Sequence, residues 1–459
     1  MDKKNTIAAP RLLLAGTASG TGKTTVTCAV LQLLVSRQYP VAALKCGPDY
    51  IDPMFHREAI GAKAGNLDLF LSGEEGVRFL LAKNSRNCRV SILEGVMGYF
   101  DGLSFDSDEA SSCHIARLTG TPAVLVVNVR GMGRSLAALL RGFWEESGGT
   151  LRGVIFNHCS PGMYPSYRRL AESLSIPCYG YLPPLPEASL ESRHLGLVTA
   201  EELPDLRKKL DILGRAAEET LDLDGLLRLA DSAPPLCFQN LWEKVKKRFP
   251  VRLGVAKDRA FCFRYEDQME LFSAFGAELV PFSPLQDAGL PEGLDGLYLC
   301  GGYPEEYCAA LSGNRSMRES IRRAVEGGLP TLAECGGFMY LLEKMAGKDG
   351  ISYPMVGALP GSSFMTKGLT RFGYKMLTAR GENLLCRAGE QLPCHEFHYS
   401  DSTNNGDGFS CTKRGKTWEC IHTTPSLLAG YPHFHLGCHP TAMERFLQKC
   451  QEYRTHNNR

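Results

Sequence analysis

Short, almost uninterrupted apolar runs recur along the chain, each closed by a glycine or a polar residue, and many are followed by a stretch with helical spacing. The first series predicts strands at 11–15, 41–45, 90–93, 123–127 and 153–156, with a helix over 24–34. Strands that are apolar on both faces and alternate with helices imply a parallel sheet covered on both sides. The pattern changes between about 200 and 250. There, charged amphipathic segments, broken by Asp231-Ser232-Ala233-Pro234-Pro235, read as a helical connector. A second α/β series then begins, with strands at 252–256, 278–282, 296–300 and 331–334 and a helix over 337–343. From Pro354 onward, short alternating runs and frequent glycines predict a mixed sheet with loops. The expected division is 1–198, a connector over 199–249, and 250–459.

Composition narrows the function classes. A chain of 459 residues exceeds the size of a single core, so more than one domain is expected. Lys and Arg number 51 against 50 Asp and Glu, leaving no global field to attract nucleic acid or an anionic membrane. No apolar run approaches the length of about 18 residues needed to span a bilayer, and no signal segment is recognisable, so a cytoplasmic location is expected. The 17 cysteines are scattered without a CxxC pair and read mostly as small buried hydrophobes.

Two segments carry chemistry. The first is Gly16-Thr17-Ala18-Ser19-Gly20-Thr21-Gly22-Lys23-Thr24-Thr25, between a predicted strand and a predicted helix. Glycines let consecutive backbone amides converge on phosphate oxygens, and a lysine then reaches the terminal phosphates. Counted back from Gly22-Lys23, the expected first glycine falls on Thr17, with Gly16 one position early. Gly16, Ser19, Gly20, Gly22, Lys23, Thr24 and Thr25 are the nucleotide-binding candidates. Thr24 is placed for Mg²⁺, with Glu94 and Asp49 as further oxygen ligands. Strand carboxyl ends line the ligand crevice of such a sheet, so Asp49, Asp52 and Asp101 are expected near the reacting phosphate. Lys45 either reaches the phosphates or stands at the surface; Asn157 either meets a base edge or holds a turn.

The second segment is Glu334-Cys335-Gly336-Gly337, between a strand and a helix. A thiol at such an elbow is presented above the sheet, where the helix terminus favours its thiolate. Gly430-Tyr431-Pro432-His433-Phe434-His435 supplies a base. On a strand, His433 and His435 would share a face, His433 against the thiol and His435 behind it. Gly301, Gly302 and Gly336 offer amides for an oxyanion hole. His395-Glu396-Phe397-His398 has its histidines three apart rather than four, so it misses the HExxH zinc geometry. A clamp for a polyanion, with Lys367, Arg371, His395 and His398, is the alternative.

With both segments placed, the chain resembles the cobyrinate a,c-diamide synthase family along nearly its whole length. The resemblance is carried by residues 16–25, 45–53, 94–98 with Asp101-Gly102, 193–197, 258–261, 282–285, 301–305, 334–337, 357–361, 395–400 and 431–435. It implies an N-terminal P-loop amide synthetase domain of dethiobiotin-synthetase-like type and a C-terminal class I glutamine amidotransferase-like domain. It implies ATP and Mg²⁺, with glutamine as nitrogen donor: Cys335 releases ammonia with the help of His433, and an acyl phosphate receives it. The class I pattern has glutamate two residues beyond the histidine, where this chain has His435. The implied substrate is a polycarboxylate tetrapyrrole, contacted by residues including Arg193 and His194. Cobyrinate leads, nickel sirohydrochlorin or a sirohaem-like macrocycle is the alternative, and a non-catalytic nucleotide switch is the reading of another class. A homodimer is left open. Asn128, Cys300 and Cys394 depart from the family's usual residues.

Overall fold

The computed structural model describes residues 4–190, 203–243, 245, 248–413 and 415–457. Two compact units result, Met1–Asn240 and Leu241–Arg459.

In the first unit seven parallel strands form one sheet, in the order Lys63–Leu67, Val41–Cys46, Val90–Glu94, Arg11–Gly16, Ala123–Asn128, Leu151–Asn157 and Cys178–Leu182. The central strands are buried along their length, as their unbroken apolar runs require. Arg11–Gly16 sits between Val90–Glu94 and Ala123–Asn128, so its carboxyl end opens beside Glu94.

The separate connector expected over 199–249 is not what the described residues form. The helix Leu203–Thr220 buries Leu210, Leu213 and Ala217, the apolar stripe of its charged sequence. That helix is tied to Lys23–Ser36 by Gln32 to Asp211 (3.0 Å) and Arg37 to Glu218 (3.3 Å). The strand Leu236–Gln239 then returns to pair with Lys4–Ile7. Arg11, fully buried, donates to the carbonyls of Ala9 and Pro234 and to the Thr121 hydroxyl, locking this return to the sheet. The stretch up to Asn240 thus completes the first unit.

The second unit is built on a six-stranded sheet in the order Glu278–Phe282, Arg252–Ala256, Gly296–Leu299, Thr331–Glu334, Leu427–Gly430 and His422–Thr423, with only the last strand antiparallel. Two four-stranded sheets follow from residues 342–420: one, containing Leu342–Ala346 and Leu359–Met365, is mixed as expected, and the other, containing Gly373–Ala379 and Gln391–Glu396, is antiparallel throughout. Gly337 shows why the strand-to-helix crossing is glycine-rich: a side chain there would lie 2.1 Å from the Leu299 carbonyl oxygen. All 17 cysteines are free thiols, most of them buried. No helix among the described residues is long and apolar enough to cross a membrane.

Candidate active sites

The strand Arg11–Gly16 runs into the glycine-rich loop, and the loop into the helix Lys23–Ser36. Gly22 has a φ of 88°, in the left-handed region that strains any residue with a β-carbon. A side chain there would also lie 2.0 Å from Nδ2 of Asn157. At Gly16 it would lie 2.4 Å from Oγ1 of Thr21, so the tight base of the loop is Gly16 rather than position 17, which accounts for the displaced motif. Asn157 Nδ2 donates to the Thr21 carbonyl at 3.0 Å and so braces the loop. Ser19 and Gly20 are exposed on the loop crest, and Thr25 is half-buried in the first helical turn.

Lys23 Nζ donates to the carbonyls of Ala18 (2.9 Å) and Met97. Burial, and then repulsion from Lys45, lowers its pKa to about 8. Glu94, fully buried at its strand end, accepts from Thr24 Oγ1 and Lys45 Nζ, each at 2.7 Å. Lys45 is buried rather than at the surface, and it also donates to Asp52 at 2.5 Å. Burial opposes its charge, but Glu94 and Asp52 outweigh burial and hold the ammonium well above its ordinary range. Asp49 accepts from the amides of Ile51 (2.8 Å) and Asp52 (3.2 Å), and burial raises its carboxyl to about 6. Asp101 is exposed and accepts from the Gly98 amide at 2.8 Å, closing the turn that presents Met97 to Lys23.

These oxygen donors fit a hard divalent cation. Thr24 and Glu94 converge at the loop, and the second Glu94 oxygen is buried without a hydrogen bond. Among the described residues no group of three or more His, Cys, Asp or Glu is arranged to hold a metal, so phosphate and water would have to complete the shell of any ion here. His56 escaped the sequence reading. Its Nε2 lies 3.5 Å from Glu94 Oε2, and burial lowers its pKa to about 4. It opens the π-helical turn His56–Ile60, and no motif marks it.

In the second unit, Cys335 follows Thr331–Glu334 with φ 45° and ψ −102°, a strained elbow. Its amide donates to the Gly430 carbonyl at 2.7 Å. The following helix, Gly336–Leu341, has only six residues. Burial pushes the thiol well up, helped by Glu305 and Glu396, while a hydrogen bond from the Gly336 amide works against the rise. Burial thus opposes the thiolate that a helix terminus would favour.

Gly301 lies under the His433 ring, where a side chain would come within 2.5 Å of Cε1. A side chain on Gly336 would lie 3.1 Å from the Gly302 amide nitrogen, so these two oxyanion candidates are adjacent. His433 is buried and its pKa falls to about 3, so it is a neutral imidazole at neutral pH. Its Nδ1 is 3.9 Å from Oε2 of Glu334. The strand face proposed for His433 and His435 is absent, because the strand ends at Gly430. His433 instead exchanges backbone hydrogen bonds with His395, and the two rings stack at 5.1 Å. His435 packs edge-on against Tyr265 at 4.4 Å, and Tyr265 meets His395 Nε2 at 2.9 Å.

Of the expected polyanion clamp, His395 and His398 are buried, Arg371 is half-buried and Lys367 is exposed. His398 lies 2.8 Å from Glu396, which also pairs with Lys375 at 2.7 Å, and all three side chains are buried. Arg371 is held by Asp401 at 2.6 Å. Arg193 and His194 lie outside the described residues.

Two family profiles match the two units. The "CobQ/CobB/MinD/ParA nucleotide binding domain" matches residues 12–198, and the "CobB/CobQ-like glutamine amidotransferase domain" matches residues 252–440. Similar along their length are the cobyrinate a,c-diamide synthases of Caldanaerobacter subterraneus (40% identity, covering 96% of this chain and 98% of the relative), Priestia megaterium (38%, 96% and 97%) and Thermoplasma volcanium (38%, 97% and 98%).

Proposed function

The chain belongs to the cobyrinate a,c-diamide synthase family, and on that premise we propose that it is an ATP-dependent, glutamine-hydrolysing ligase that amidates the a and c side-chain carboxylates of cobyrinate. The observation that carries this reading is the presence, in one chain, of a lysine-bearing phosphate loop beside Glu94 and a cysteine elbow whose preceding residue, Glu334, lies 3.9 Å from the neutral imidazole of His433. The relatives' names favour cobyrinate over a sirohydrochlorin-type macrocycle.

At the elbow, the Cys335 sulfur attacks the side-chain amide carbon of glutamine. His433 takes the thiol proton and returns it to the departing nitrogen, so that the C–N bond breaks and ammonia leaves. Water then hydrolyses the thioester to glutamate. The Gly302 and Gly336 amides are the oxyanion donors we assign; Gly301 makes room for the imidazole. The high resting thiol pKa means that the thiolate forms with bound glutamine, by transfer to His433, rather than standing free.

In the first unit, which we assign to the dethiobiotin-synthetase-like class, Lys23 and the loop amides hold the terminal phosphates. A cobyrinate carboxylate oxygen attacks the γ-phosphorus, ADP departs, and ammonia displaces phosphate from the acyl phosphate to leave the amide. Phosphorylation is needed because a carboxylate would otherwise have to expel oxide. Mg²⁺ held by Thr24 and Glu94, with Asp49 nearby, would neutralise phosphate charge. Lys45 and Asp52 fix Glu94 for that task. Arg193 and His194 remain our macrocycle contacts.

Purified protein with glutamine, ATP and Mg²⁺, offered cobyrinate or nickel sirohydrochlorin in turn, tests the reading by product mass. Cobyrinate should gain two amides, and amidation of neither macrocycle would refute it. Cys335→Ala should lose glutamine-driven turnover yet work with high external ammonia; Lys23→Ala should fail with either nitrogen source.

A further inference from the structure

We propose that Glu334, the residue immediately before the nucleophile, is the carboxylate that positions His433. The inference rests on the reading of Cys335 and His433 as the glutaminase pair. Glu334 ends the strand Thr331–Glu334, whose parallel register sets it opposite Gly430, so the chain leaving Gly430 passes over its carboxylate. One carboxylate oxygen, Oε2, lies 3.9 Å from Nδ1 of His433 and accepts the Tyr298 hydroxyl at 3.0 Å. The other, Oε1, accepts the backbone amide of Phe434 at 3.4 Å. The same side chain therefore faces the imidazole and fixes the backbone that carries it.

Imidazole chemistry gives this contact its consequence. With Nδ1–H turned to a carboxylate, the basic lone pair resides on Nε2, on the opposite edge of the ring and available to the thiol. At 3.9 Å this is not a hydrogen bond; above about pH 8, where Glu334 is ionised, the contact is one of charge and strengthens as the ring takes the thiol proton and becomes cationic. In this chain position 435, where the class I pattern has glutamate, is a histidine packed on Tyr265. The carboxylate 3.9 Å from the base comes instead from the nucleophile's own strand, while Glu396 and His398 also act on the imidazole, favouring and opposing its charge respectively.

The groups hydrogen-bonded to Glu334 or within 3.9 Å of it are Tyr298, from the strand Gly296–Leu299, and His433 and Phe434, from the segment after Leu427–Gly430; the thiols of Cys300 and Cys335 also feel its charge. Burial raises the Glu334 carboxyl to about 8, against the hydrogen bonds from Tyr298 and Phe434. Its ionisation consequently falls within an accessible assay range.

The test is the pH dependence of glutamate release in the full-length protein. The isosteric Glu334→Gln should lower glutaminase kcat by about 10- to 100-fold, with KM for glutamine changed less than about twofold. It should also remove the rising limb near pH 8. Ammonia-driven amidation, which does not use this site, measures folding in the same preparation. Tyr298→Phe, which withdraws a hydrogen bond from the carboxylate, should move the limb to higher pH. A parent-like kcat and limb in Glu334→Gln would overturn the proposal. If that variant also loses ammonia-driven amidation, Tyr298→Phe decides, and an unmoved limb overturns the proposal. Glutaminase activity surviving in Cys335→Ala would instead remove the underlying reading of the site.

Discussion

Replacing Gly22 with alanine isolates the steric logic of the nucleotide loop. The native φ of 88° would cost alanine about 1–2 kcal/mol of backbone strain. Its methyl carbon would sit 2.0 Å from Asn157 Nδ2, so that amide must retreat and surrender its 3.0 Å bond to the Thr21 carbonyl. A lost hydrogen bond of this kind adds about 1 kcal/mol. The closed loop is therefore disfavoured by about 2–3 kcal/mol, and ATP affinity should fall by about 30- to 150-fold through the loss of the competent state. Asn157→Ala alone should cost about 1 kcal/mol, because the bond goes but the backbone stays unstrained. In the double variant the two penalties overlap, giving a coupling of about 1 kcal/mol. Calorimetric titration with a non-hydrolysable ATP analogue and Mg²⁺ measures all four corners. A Gly22→Ala affinity within about twofold of the parent, or strictly additive losses, would refute the reasoning.

Nucleotide affinity should depend on pH through Lys23. Burial holds its free-state pKa to about 8, and bound phosphate would favour the ammonium, so affinity should fall as pH rises above about 8. Titrations at pH 7 and 9 in two buffers of different ionisation enthalpy would reveal the linked proton uptake; equal affinities would contradict it. Stability should likewise decline with rising pH through Glu334. Its carboxyl is raised from the ordinary 4.5 to about 8, so the folded state holds a proton that the unfolded state has lost. Its stabilising contribution is complete below the unfolded value and is lost as pH rises toward 8. Relative to the parent, Glu334→Gln should gain in urea midpoint across that window, and a pH-independent difference would exclude the raised carboxyl.

The strands that were legible are those whose apolar runs are uninterrupted, such as Arg11–Gly16 and Ala123–Asn128, because a strand buried on both faces leaves no other pattern. Lys63–Leu67 and Cys178–Leu182 were missed; they form the sheet edges, and Asn66, Gly65 and Gly180 interrupt their runs. The amphipathic stripe of Leu203–Thr220 was visible, but not the surface it covers, so a segment that completes the first sheet's packing read as a connector.

The sites divide in the same way. Gly16, Gly22 and Gly337 carry meaning in sequence because backbone or a buried side chain leaves no room for a β-carbon. Glu334 and His56 do not. One matters through the strand register that brings residue 430 beside it, and the other through its approach to Glu94, and neither long-range contact leaves a local motif. The pairing of His433 with His435 assumed a strand that in fact stops at Gly430.

The central claim is that nitrogen released at Cys335 becomes the two new amides made with ATP. The most direct measurement offers the purified protein cobyrinate, ATP, Mg²⁺ and glutamine labelled with ¹⁵N in its side-chain amide, and follows the product by mass. The product should be a diamide carrying both labels, which disappears in Cys335→Ala and returns unlabelled when that variant is given ordinary ammonia. A diamide formed from labelled glutamine by Cys335→Ala, or no diamide from the parent protein, would contradict the claim.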